Sequence, residues 1–192
     1  MNQSSHDTIW ALFIEGERSA YTSLFKFYYP KLYGYGLKIS ANTTLTEDCL
    51  QDFFVHLYEN KNSMGKIKSV DAYLFVSFRR ALLKVMNKEK TFTDFENHQP
   101  SAYQFAFSAE ELAIQKEYTS LTKTVVASIL NELSNREREV VYLKYYSNLK
   151  TKDIADVMDI SYQSVLNTLQ KAFAKLRKRS EDEVIKSVLK KV

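Results

Sequence analysis

Residues 151–178 read TKDIADVMDISYQSVLNTLQKAFAKLRK, and four of them, Met158-Asp159-Ile160-Ser161, decide what the segment is. Apolar residues recur at helical spacing before them, at Ile154, Ala155, Val157 and Met158, and after them, at Val165, Leu169, Phe173 and Leu176. One long helix with a polar patch would show this pattern, and so would two helices joined by a sharp turn. The order of residue types favours the turn. Thr151 is placed to cap a helix, and Asp153 in its first turn complements the positive end of the helix dipole. Ala155 is small enough to let a crossing helix come close. Asp159 tolerates the left-handed backbone better than most non-glycine residues. Ile160 plugs the corner, and Ser161 caps the next helix. Cap, small residue, turn residue, apolar plug and second cap, in that order, make a helix-turn-helix.

In such a motif the second helix enters the DNA major groove by its N-terminal end. Gln163, Ser164, Asn167, Thr168 and Lys171 point outward, and amide and amine side chains can read base edges. Lys152, Lys175, Arg177, Lys178 and Arg179 suit phosphates. The competing reading of the same residues is a solvated polar face.

The rest of the 192 residues reads almost wholly as helix. The chain has only 4 glycines and 2 prolines, and little strand-like alternation, so the expected fold class is all-α. A hydrophobic content of 45% is ample for packed cores and excludes global disorder. The net charge of +4 is unevenly spread. Residues 118–192 carry 14 Lys/Arg against 9 Asp/Glu, or +5; residues 1–95 carry 12 against 10, or +2; residues 96–117 carry 1 against 4, or −3. A basic C-terminal part behind an acidic connector indicates two modules with different partners. Cys49 is the only cysteine, which rules out an intramolecular disulfide and fits a reducing cytoplasm. The start, MNQSSHDTIW, does not have the form of a signal peptide, and no apolar run approaches the roughly 18 residues of a membrane span. The expected location is therefore cytoplasmic.

Along the chain, Ile9, Leu12 and Phe13 open a first helix. Tyr21, Leu24, Phe25 and Tyr28 continue to an expected break at Pro30, and Leu32, Tyr35 and Ile39 carry a third segment. Thr44-Leu45-Thr46-Glu47 has capping-box spacing. Behind it Leu50, Phe53, Phe54, Leu57 and Tyr58 form an apolar face, with Glu47, Asp48, Gln51, Asp52, His56 and Glu59 on the remainder. Asn60 to Lys68 reads as a polar loop containing Lys61, Lys66 and Lys68, and Val70 to Met86 resumes the helical period. Thr91 to Ser108 has no clear period, and its aromatics, Phe92, Phe95, Tyr103, Phe105 and Phe107, indicate a segment lying against a surface. Ser108–Glu111 and Ser134–Glu137 repeat the capping-box spacing. The expected organisation is two helical domains, 1–90 and 116–192, joined by a linker at 91–115, the second containing the helix-turn-helix.

Across almost its whole length the sequence resembles the extracytoplasmic-function group of bacterial sigma factors. LNELSNREREVVYLKYYSNLKTKDIADVMDISYQSVLNTLQKAFAKLRK is similar to their region 4, LTEDCLQDFFVHLYEN to region 2.2, and DAYLFVSFRRALLKVMNKEK to regions 2.3 and 2.4. The resemblance implies that Glu47, Asp48, Gln51, Asp52 and His56 dock on the β′ clamp helices of core RNA polymerase. It implies that Tyr73, Phe75, Phe78, Arg79, Arg80, Lys84 and Lys88 open and grip the −10 element, where aromatics stack on unpaired bases and cations hold the backbone. For Tyr73, Phe75 and Phe78 the competing reading is core packing. It further implies that the second domain binds the β flap and the −35 element. A partner anti-sigma factor, often membrane-bound, is implied too, with no cofactor, no metal and no small-molecule substrate. The sequence departs from the family at Tyr73, where Trp is frequent, at Arg80, where Asn is frequent, and at Leu166 and Thr168, where cations are frequent. Asn148 and Asp159 stand where glycine is common, and both residue types tolerate positive φ. These departures bear on promoter choice.

Two rivals share the helix-turn-helix: a regulator that binds DNA alone, and a sigma mimic that binds a regulator but no promoter. An enzyme is disfavoured. Cys49 and His56 are two helical turns apart, about 10 Å of rise, too far for a nucleophile and its base. His6, His56 and His98 have no metal-ligand spacing with Cys49.

Overall fold

The computed structural model describes residues 3–64, 67–93, 105–108 and 120–180. Among them all regular structure is helical. The elements are α1 (Gln3–Ile14), α2 (Arg18–Ser40), α3 (Thr43–Glu59), a 3-10 turn at Lys61–Ser63, α4 (Val70–Thr93), α5 (Ser120–Asn131), α6 (Asn135–Tyr145), α7 (Thr151–Met158) and α8 (Tyr162–Ser180). They divide into two compact units, Met1–Tyr103 and Gln104–Val192.

In the first unit α2 runs through Pro30 without ending there, contrary to the expected break. Proline removes one backbone donor and should kink or break a helix interior. Here Leu24, Tyr28, Leu32, Tyr35 and Ile39 are all buried on one stripe either side of it, while Pro30 itself is exposed. Burial of that stripe outweighs one lost hydrogen bond. The start of α3 also differs from expectation. Asn42, not Thr44, is the cap: its side chain accepts from the Leu45 N–H at 3.0 Å. Thr46 lies inside the helix, fully buried, with Oγ1 donating to the Asn42 carbonyl at 2.7 Å.

Leu50, Phe53, Phe54 and Leu57 of α3 and Leu74, Phe75, Phe78 and Leu82 of α4 complete this core. Gly36 of α2 sits at the tightest crossing, where a Cβ would stand 2.7 Å from Thr46 Cγ2 and 2.9 Å from Phe78 Cζ. A polar knot ties α1, α2 and α4: the Tyr28 hydroxyl donates to Asp71 Oδ1 at 2.7 Å and lies 3.1 Å from His6 Nδ1.

In the second unit the Ser134 capping box is fully formed. The Ser134 N–H donates to Glu137 Oε2 at 2.8 Å, and the Ser134 side chain accepts from the Glu137 N–H. The turn at 158–161 is built as the sequence indicates. Asp159 adopts φ 52°, ψ 52°, and the Ile160 and Asp159 amides donate to Ala155 O and Asp156 O at 3.0 and 3.3 Å. This is a Schellman closure with aspartate in the position usually held by glycine. Ser161 Oγ then accepts from the Ser164 N–H at 3.1 Å. The cap of α7 is Lys150, whose side chain makes no capping bond; Thr151 is already helical, so the helix starts one residue earlier than expected. Asn148 is also left-handed, at φ 57°.

Val165, Leu169 and Ala172 bury the inner face of α8, whereas Phe173 turns outward and meets Tyr145 edge-on at 5.8 Å. The inward stripe advances by four and then by three, which passes over position 173. Residues 105–108 belong to this unit. Phe105 and Phe107 are buried against Tyr142, with ring centroids 5.3 and 6.2 Å away. The Ser108–Glu111 spacing, the ring of Phe92, and Phe95, Tyr103 and Lys66 fall outside the described residues.

Candidate functional site

Three surfaces carry the predicted site residues. The first is the outer face of α3. With Leu50, Phe53, Phe54 and Leu57 buried inward, Glu47, Asp48, Gln51, Asp52 and His56 are all exposed. Their contacts within the chain are few and at the surface: Tyr33 donates its hydroxyl to Glu47 Oε1 at 3.3 Å, and Asn60 Nδ2 lies 3.0 Å from His56 Nδ1. Sequence reasoning passed over Val55 and placed Tyr58 on the inner apolar face; both instead interrupt this acidic face with exposed apolar surface, 49% and 40% accessible. The signal was available, since position 55 follows 48, 51 and 52 at helical spacing. Cys49 is turned into the core, and burial followed by the Asp52 charge pushes its thiol up to about 11, so it is not a nucleophile at neutral pH.

The second surface is α4. Arg80, Lys84 and Lys88 are exposed and share an open concavity with Leu83 and Asn87. The four cationic or polar positions, 80, 84, 87 and 88, lie on one continuous helical stripe. Tyr73 is half-buried, edge-on to Trp10 at 5.4 Å, and Arg79 is half-buried. Phe75 and Phe78 must be corrected: both are fully buried, packed on Tyr35 and Phe53 at 5.5 and 5.8 Å, and cannot stack on a base. They lie on the stripe of Leu74 and Leu82, opposite the cations. The loop lysine Lys61 stands over the Tyr58 ring at 4.2 Å.

The third surface is the helix-turn-helix. Gln163, Asn167 and Lys171 are exposed along α8, Ser164 and Thr168 are half-buried beside them, and Lys152 is exposed at the start of α7. Gln163 Nε2 donates to Asn167 Oδ1 at 3.0 Å, so the two amides hold each other in register, and Thr168 Oγ1 returns to the Ser164 carbonyl at 2.7 Å. Tyr162, unnoticed in the sequence although it directly follows the Ser161 cap, is the first residue of α8 and 53% accessible.

Further along α8 the cations divide. Lys175 Nζ donates to Glu137 Oε2 at 2.7 Å. Burial pushes the Glu137 carboxyl up, but Lys175 and the Ser134 hydrogen bonds outweigh it and hold the group below its ordinary value. Arg179 grips both oxygens of Glu132, its Nε at 2.8 and 2.7 Å. Lys175 and Arg179 therefore clasp α8 to the α5–α6 corner, while Lys171, Arg177 and Lys178 remain exposed. Among the described residues no group of three His, Cys, Asp or Glu side chains converges as metal ligands, and no helix is long and apolar enough to cross a membrane.

Comparison with known proteins agrees with this geometry. Residues 124–176, which contain the helix-turn-helix, match the family described as Sigma-70, region 4. The chain is 25% identical over 155 residues to the ECF RNA polymerase sigma factor SigM of Bacillus subtilis (strain 168), spanning 80% of this chain and 91% of that protein. It is 22% identical over 138 residues to the RNA polymerase sigma factor SigZ of the same organism, spanning 72% and 74%. The fold is similar to that of CnrH in complex with the cytosolic domain of CnrY, with a TM-score of 0.60 at 20% identity over 92% of this chain and 97% of that one. It is also similar to the sigma factor RpoE in complex with the anti-sigma factor NepR from Bartonella quintana, with a TM-score of 0.60 at 18% identity over 84% and 97%. The C-terminal unit thus carries a segment that matches Sigma-70, region 4, and the fold is similar to that of a sigma factor. Of the curated relatives it matches, one is an extracytoplasmic-function (ECF) sigma factor, to which the chain is similar over most of its length.

Proposed function

We propose that this chain binds core RNA polymerase and directs it to promoters, with no chemical step of its own. The observation that carries the reading is the region 4 helix-turn-helix with Gln163, Asn167 and Lys171 exposed at the leading half of α8. Those side chains suit base edges and phosphates of a −35 element in the major groove. The exposed acidic face of α3 suits the β′ clamp helices, and Val55 and Tyr58 would give that contact an apolar centre. On α4, Tyr73 with Arg80, Lys84 and Lys88 remain the candidates for the −10 strand after Phe75 and Phe78 are removed. The β flap would meet the second unit. Because the similar folds are those of a CnrH bound to CnrY and an RpoE bound to an anti-sigma factor, a protein antagonist, soluble or membrane-bound, completes the reading. Its place of action is the cytoplasm, with polymerase.

The test is run-off transcription by purified bacterial core polymerase on a randomised promoter library, with and without the chain. Promoter-selective transcripts that require the chain, lost in a Asp48→Arg/Asp52→Arg variant, are the expected result. If polymerase ignores the chain but the chain alone shifts DNA with a steep salt dependence, it is an independent regulator. If neither occurs, it is a protein-binding mimic.

A further inference from the structure

The leading half of α8 carries no charge. Residues 161–170 read SYQSVLNTLQ, and the first cation of the helix is Lys171. Guanine is read best by a bidentate Arg or Lys, so this half lacks the side chains for it. Its hydroxyls are already engaged. Thr168 donates its hydroxyl proton to the Ser164 carbonyl at 2.7 Å, and the Ser161 and Ser164 hydroxyls bond to each other at 2.8 Å. The other outward side chains of the first two turns form two rows. Gln163 and Asn167, four residues apart, make an amide row tied by the 3.0 Å bond from Nε2 to Oδ1. Tyr162 and Leu166, also four apart, make an apolar row directly beside it. Tyr162 is 53% accessible and Leu166 is half-buried. The face that α8 buries is centred on Val165, Leu169 and Ala172, so the apolar row lies at the border between that core and the amides.

We propose that Tyr162 and Leu166 read thymine 5-methyl groups, which makes the leading half of α8 a reader of A·T pairs in the −35 element. This deepens the promoter reading above and rests on it. In the major groove adenine offers an N7 acceptor and an N6 donor, and one amide side chain can meet both. With a single Nε2 hydrogen engaged by Asn167, Gln163 still holds the Oε1 acceptor and the second Nε2 hydrogen that an adenine edge requires. The thymine of the same or the adjacent pair presents a methyl group, and only an apolar side chain gains by covering it. Cytosine at that place has no methyl and presents a donor amine instead, so it forfeits the contact. Covering one methyl group is worth about a fourfold change in binding. An amide row and an apolar row side by side therefore match the two halves of an A·T pair, where a cation would favour guanine.

Deoxyuridine tests this on the unaltered protein, because it pairs as thymidine does and lacks only the methyl group. Each thymine in the −35 element of the promoter selected by run-off transcription is replaced singly by uracil, on either strand. Full-length chain with core polymerase is then titrated on every template. The expected result is a −35 element containing A·T pairs, with uracil at one or two positions raising the half-saturating concentration about fourfold. Tyr162→Ala and Leu166→Ala should each abolish one of those penalties, so that thymine and uracil templates become equal there. Tyr162 is exposed, so its variant keeps the core; if Leu166→Ala unfolds by circular dichroism, Tyr162→Ala and the uracil series decide. Uracil tolerated at every position would overturn the proposal, and so would penalties that persist unchanged in the variants, or a −35 element made only of G·C pairs. In each of those cases transcription still requires the chain, so the sigma reading stands while the methyl readout falls. If the chain instead binds a selected site without polymerase, the same substitutions in a binding assay decide the methyl readout although the sigma reading has failed. If it neither transcribes nor binds DNA, both fail together.

Discussion

Gly36→Ala puts the packing of the first unit to a test with a predictable sign. At an open helical site this change should stabilise by about 1 kcal/mol, because alanine is the better helix former. Position 36 is not open. The new Cβ would lie 2.7 Å from Thr46 Cγ2, 2.9 Å from Phe78 Cζ and 3.0 Å from Phe78 Cε1. Neither neighbour can give way cheaply. Thr46 is fully buried and its rotamer is fixed by Oγ1, which donates to the Asn42 carbonyl and lies 2.7 Å from Ser40 Oγ. Phe78 is fully buried and backed by Phe53. Overpacking of this kind costs about 1–3 kcal/mol, and two contacts below the van der Waals limit place it toward the top of that range. Subtracting the propensity gain leaves a net loss of about 1–2 kcal/mol. Trp10, the only tryptophan, is buried in the same unit and reports its unfolding. With a urea slope of about 1–3 kcal/mol/M, the midpoint should fall by roughly 0.5–1 M without a change in slope. Thr46→Ser deletes the offending methyl and keeps the hydroxyl, so the double variant should recover about 1 kcal/mol relative to additivity. A midpoint equal to or above that of the parent, or strict additivity in the double variant, would refute the reasoning.

Three further outcomes follow from single sites. Ala41 closes α2 in the left-handed region at φ 52°, which costs an L-residue about 1–2 kcal/mol, so Ala41→Gly should raise the urea midpoint by the equivalent of about 1 kcal/mol. Glu137 is held below its ordinary value of 4.5, so its contribution is present above that pH and lost as pH falls through the lower folded value. Glu137→Gln should therefore cost about 1–2 kcal/mol at pH 7, and the gap between its melting curve and the parent's should close as pH falls below 4.5. Cys49, with its thiol pushed from 9.0 to about 11, holds on the order of a hundredfold less thiolate than an exposed cysteine. A maleimide at pH 8 should label it only after denaturant is added.

How far the sequence could be read depends on whether the deciding interaction is local. The turn at Asp159 and the capping box at Ser134 are settled by residues within four positions of one another, and both form as read. The caps at Thr44 and Thr151 were displaced to Asn42 and Lys150, because several adjacent residues could serve and only the path of the incoming chain selects one. Pro30 misled for the opposite reason: its local penalty is real, but the stripe from Leu24 to Ile39 is buried on both sides of it. Phe75 and Phe78 show the limit of composition. Aromatics among cations look alike whether the rings await a base or fill a core, and the stripe 74, 75, 78, 82 was the sign that these fill a core. Lys175 and Arg179 were read as phosphate contacts since their partners, Glu137 and Glu132, lie 38 and 47 residues away.

Those two cations bear on how α8 is held. Residues 171–179 contain five cations, of which Lys175 and Arg179 are committed to carboxylates of the same unit. Arg179 and Glu132 are both exposed, so their pairing adds at most about 1 kcal/mol of stability, and its value is geometric. Glu137 does more: the same carboxylate that closes the capping box of α6 receives Lys175 of α8. The start of α6 and the second half of α8 are thereby fixed to each other through one side chain. A helix inserted in a groove needs its trailing half held so that its leading half can be aimed. The cations scarce at Leu166 and Thr168 are thus matched by cations used as anchors behind them. On the promoter reading, discrimination would then fall to the amides of Gln163 and Asn167, whose mutual hydrogen bond presents them already aligned.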